Sequence, residues 1–74
     1  MAYNIKYDMQ STEGRERAYQ DATDWLGDDR TKLISDSIKR SDITTMESLA
    51  VVMSFSGIQG APVIAFGERH GLFT

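Results

Sequence analysis

The sequence predicts an α+β domain in the order β-α-α-α-β-β, a three-stranded sheet with helices packed on one face. Three observations carry that expectation. Residues 3–10 alternate apolar and polar side chains, three later stretches carry apolar stripes at helical spacing, and two short apolar runs close the chain around a glycine-bounded loop. The 74 residues are one domain's worth, spanning 1–74.

The elements follow in order. Tyr3, Ile5, Tyr7 and Met9 fall on one side of the alternation, and Asn4, Lys6, Asp8 and Gln10 on the other. A strand with one buried and one wet face has that period of two. Ser11 then offers an N-cap with Glu13 at the positive end of the dipole, and TEGRERAYQDATDWL forms the first helix. Its stripe is Ala18, Tyr19, Ala22, Trp25 and Leu26. Gly14 weakens its first turn, and Gly27 ends it. Asp28 or Asp29 caps a second helix running to about Arg40, with Leu33, Ile34 and Ile38 as its stripe. A competing reading makes KLIS a short strand.

Thr44 and Glu47 fit a capping box for the third helix, which carries no charge after Glu47 and is therefore expected to be the most buried. Gly57 terminates it. The run Val63-Ile64-Ala65-Phe66 reads as a strand, and GERHG as the loop of a hairpin that resumes at Leu72-Phe73.

Composition narrows the function. There is no cysteine and one histidine, so neither a disulfide framework nor a zinc site of cysteine and histidine ligands is expected, and no cofactor is implied. No apolar run approaches the roughly 20 residues of a membrane span, and the first residues lack a signal-peptide layout. A cytoplasmic location is the expectation. The net charge is −3, all of it in residues 1–30, where seven acids face four bases. A nucleic-acid binder draws on a basic stripe, and none is visible.

The motifs are judged by context. Gly57-Ile58-Gln59-Gly60 matches the GxxG of an RNA-clamping loop, but it lacks basic residues and is followed directly by Pro62, so a helix end and turn is the better reading. Neither Ser54 nor Ser56 has the flanking glycines of a nucleophile elbow, and no Walker loop is present. His70 is the one side chain that ordinarily titrates near neutrality, yet a hairpin tip supplies no pocket. The acids Asp21, Asp24 and Asp28 match no calcium loop, and −3 is a small excess for a mimic of nucleic acid. Trp25 belongs to the core stripe. Where that stripe is only partly covered, Trp25 and Tyr19 become anchors for a partner.

An enzyme is thus the least supported class. The leading expectation is a small noncatalytic module that binds another protein, with self-association into a homodimer as a further expectation. In type it resembles the acidic accessory proteins of phages and mobile elements that inhibit or adapt a host protein. A nucleic-acid-associated protein or acidic mimic is the alternative. The expected contact surface comprises Asp21, Asp24, Trp25 and Asp28 together with Glu68, Arg69 and His70.

Overall fold

The computed structural model describes residues 6–72, which form four α-helices: α1 Thr12–Leu26, α2 Asp28–Lys39, α3 Met46–Ser54 and α4 Ala61–Arg69. Among the described residues there is no strand, so the α+β expectation and its three-stranded sheet are overturned.

Each expected strand failed for a physical reason. Residues 3–5 lie outside the described residues. From residue 6 the chain is irregular and then turns at Met9-Gln10 into the cap of α1, with no neighbouring strand to pair its backbone. Ser11 accepts a hydrogen bond from the Gly14 N–H and donates its own to the Asp8 carbonyl. The run 63–66 is not a strand but the middle of α4. Gly60 caps this helix and Pro62 sits in its first turn, where a missing N–H costs nothing. Four consecutive apolar residues fit a buried helix as well as a strand, and here burial decided: Val63, Ala65 and Phe66 all face the core. GERHG is the end of that helix rather than a hairpin loop. Leu72 follows without forming a strand, and Phe73 lies outside the described residues.

The helical expectations fared better. The first helix spans the expected residues, and Gly27 ends it at φ 83°, ψ 163°. The KLIS segment is helical, inside α2. In the third helix the cap is Thr45, which accepts from the Ser48 N–H, not Thr44. Nor is α3 the most buried helix. Only Leu49 and Met53 of its residues are buried, against five residues of α4.

Three helices close in the same way. After α3, Gly57 donates to the Ser54 carbonyl and Ile58 to that of Met53, with Gly57 left-handed at φ 80°. Gly71 and Leu72 repeat the pattern after α4, donating to Glu68 and Gly67. After α2 the left-handed residue is Ser41, at φ 64°, the one such residue that is not glycine among those described. This paired-bond termination satisfies the last carbonyls and folds the following apolar residue back onto the helix. Ile58 and Leu72 are buried in that way.

The core is built on α1 and α4. Ala18 and Ala22 are fully buried, and their small side chains let α4 approach closely. Phe66 lies against Tyr19 with ring centroids 6.0 Å apart. Around it gather Leu26, Ile34, Ile38, Leu49, Met53 and Ile58. Gly67 gives α3 room: a Cβ there would come within 2.9 Å of the Leu49 and Met46 side chains. By contrast, the backbones of α2 and α3 stand apart, with no Cα pair between them within 8 Å. That gap positions the surface described next.

Candidate interaction surface

Large apolar side chains stand exposed around the gap. Phe55 is 87% exposed, Leu33 65%, Val51 59% and Trp25 43%. The amphipathic geometry explains why. On α2, Ile34 and Ile38 are one turn apart and face the core, which leaves Leu33 off the buried stripe. On α3, Leu49 and Met53 take the core side, and Val51 and Phe55, four residues apart, share an outer strip.

Two of them, Leu33 and Phe55, line a groove of about 300 Å³ walled by Arg30, Leu33 and Ile34 on the α2 side and Val52, Phe55 and Ser56 on the other. Ser56 ties it together. The Trp25 indole N–H donates to the Ser56 carbonyl, and Arg30 donates to its Oγ at 3.2 Å. Arg30, Leu33 and Phe55 thus share the groove, and Trp25 of α1 is tied to it through Ser56.

The site residues expected from sequence divide into two groups. Trp25 is not a core residue: it is 43% exposed and tied to Ser56 at the groove's edge. Asp24 and Asp28 are exposed nearby in sequence, Asp24 accepting from Gln20 and Asp28 standing in the first turn of α2. Asp21 is half-buried and structurally engaged: it accepts from the Tyr7 hydroxyl at 2.6 Å and lies 3.8 Å from Arg17. Tyr19 is half-buried on the other side of α1.

Glu68, Arg69 and His70 belong to the α1–α4 seam. Arg69 is bonded to Glu16 and lies over the Tyr19 ring, 4.2 Å from its centroid. The hydrogen bond from Arg69 and its charge hold the Glu16 carboxyl below its ordinary range, and the same bond to Glu16 holds the guanidinium above its own. Glu68 and Arg69 line, with Thr12, Arg15 and Glu16, a cleft of about 450 Å³ carrying both signs of charge.

His70 is no hairpin-tip residue. It caps α4, half-buried, its ring 4.4 Å from that of Phe66. Nδ1 shares a hydrogen bond with Ser35 at 3.1 Å, and Nε2 with the Tyr19 hydroxyl at 3.3 Å. Burial, then the charges of Lys39 and Arg69, push its pKa below 6.5. A serine beside a histidine suggests nucleophilic chemistry, but Ser35 is buried and both ring nitrogens are occupied by hydroxyls. No carboxylate orients the ring. The trio joins three helices, and Tyr19 also lines the cleft between α1 and α4.

Among the described residues no group of three or more His, Asp or Glu is placed to hold a metal ion, and no helix is long and apolar enough to cross a membrane. No known family, curated protein or solved structure matches the chain.

Leu33, Val51 and Phe55 are surface residues that sequence reasoning missed: Leu33 was placed on the apolar stripe of the second helix, and Val51 and Phe55 fall in the helix that was expected to be the most buried. The signal was present in their number. Leu33 beside Ile34, and Val51 and Phe55 beside Leu49 and Met53, are more apolar residues than one face of a short helix can bury.

Proposed function

We propose that the chain is a noncatalytic protein-binding module that docks through the groove between α2 and α3, adapting or blocking the protein it holds. The observation that carries this reading is the exposure of Phe55 beside Leu33, Val51 and Trp25. Isolated apolar residues on a surface mean little, but a contiguous aromatic-containing patch flanked by a groove is the usual form of a recognition site. Asp24, next to Trp25 in sequence, and Asp28, in the first turn of α2, are exposed acids of the kind that suits a polar rim.

The test is capture by the purified chain from native cell extract, quantified by mass spectrometry, with Phe55→Asp, Leu33→Glu and Asp24→Lys baits alongside wild type. Wild type should retain a stoichiometric protein. Phe55→Asp and Leu33→Glu should lose it at least tenfold with unchanged thermal unfolding, and Asp24→Lys should lose less. Equal retention by all four baits would refute the groove as the docking surface.

A further inference from the structure

We infer that, in the absence of another partner, the groove is filled by a second copy of this chain in a twofold arrangement that seats each Phe55 in the other's cleft. This rests on the reading of the groove as a protein-docking surface and names its resident occupant. The patch is self-complementary. Phe55 projects as a knob from one wall of the cleft, whose other apolar walls are Leu33, Ile34 and Val52 and which offers about 300 Å³ of space. A knob adjacent to its own hole is what an isologous contact needs, because the twofold axis carries each knob onto the other's hole.

Size and charge agree. A weak contact takes under about 600 Å² from each partner. An aromatic side chain carries roughly 150–250 Å²; Phe55 exposes 87% of its surface and Trp25 43%, and Leu33, 65% exposed, adds to them. The rim carries both signs: Arg30 stands at the cleft, while Asp29 and Asp36 lie one turn before and after Leu33 on α2. A twofold copy can therefore set cation against acid across the axis. The net charge of −3 per chain opposes association over longer range, and salt screens that term. Self-association and capture of another protein through this groove exclude each other.

Sedimentation velocity on the intact chain, from about 10 μM to about 1 mM, decides the matter. The mass should rise with concentration from 8.3 kDa toward twice that value. Phe55→Asp and Leu33→Glu, at exposed positions that leave folding intact by circular dichroism, should raise the dissociation constant at least tenfold, and Glu13→Ala should leave it unchanged. A chain that stays monomeric throughout, or a dimer indifferent to both groove variants, overturns the inference. A monomer whose groove variants still lose a captured protein would leave the docking function standing; a dimer with no captured protein would do the reverse.

Discussion

Ser35, in the middle of α2, and His70, at the end of α4, are joined by a hydrogen bond of 3.1 Å although no Cα pair between those two helices lies within 8 Å. Side chains alone bridge the gap. The same imidazole reaches Tyr19 of α1, so one ring fastens three helices.

That fastening makes stability depend on pH with a definite sign. Burial and the charges of Lys39 and Arg69 lower the folded pKa of His70 from 6.5, so over the interval below 6.5 the unfolded chain binds the extra proton. The contribution is fully present above pH 6.5 and is lost as pH falls toward the folded value. Glu16 acts lower: Arg69 depresses its pKa from 4.5, so its contribution holds above 4.5 and fades below. Urea midpoints measured at several values between about pH 8 and pH 5 should fall toward acid in wild type and fall less in His70→Gln. Equal slopes in the two proteins would show that His70 does not link protonation to folding.

Two substitutions at helix ends should act in opposite directions. Gly27 adopts φ 83°, ψ 163°, a region essentially closed to residues with a Cβ. A Cβ there would meet nothing within 4 Å, so the cost of Gly27→Ala is purely one of backbone, about 1–3 kcal/mol. Ser41, left-handed at φ 64°, already bears such strain. Ser41→Gly should relieve it for a net gain of about 0.5 kcal/mol, after the greater freedom of glycine in the unfolded chain is deducted. Chemical denaturation at neutral pH reads both, and a stabilised Gly27→Ala protein would contradict the backbone assignment.

Gly14 separates helix propensity from tertiary packing. In isolation Gly→Ala inside a helix gains about 1 kcal/mol. Here the added methyl would collide with the Asp8 carbonyl, lifting the segment that carries Tyr7 to Asp21. Gly14→Ala should therefore destabilise the protein and speed amide exchange at Ser11, whose N–H donates to that carbonyl at 3.2 Å. A gain of the full propensity increment would mean that the 6–10 segment does not pack as described.

Local rules made much of the helical body legible. Ser11, Gly27 and Gly57 punctuate the chain through side-chain capping or positive φ, effects set by immediate neighbours. What misled was tertiary. Val63 to Phe66 has no periodicity of its own, and its helix exists because Phe66 packs on the alanines and Tyr19 of α1, some 45 residues away. Pro62 after Gly60, and Gly71 after Arg69, were its start and stop signals. Likewise the exposure of the apolar side chains was a tertiary outcome. Trp25 does border the groove, whereas Leu33 and Phe55 face outward because Ile34 and Met53 already fill the core beside them.

Amide hydrogen exchange on the chain with its groove occupied, compared with the dilute free chain, tests the central claim most directly. The account predicts slowed exchange in segments 30–37 and 51–57, which hold Leu33, Val51 and Phe55, with the α1–α4 cleft around Arg15 and Glu68 unchanged. Protection confined to that cleft, with the α2–α3 groove unaffected, would contradict it.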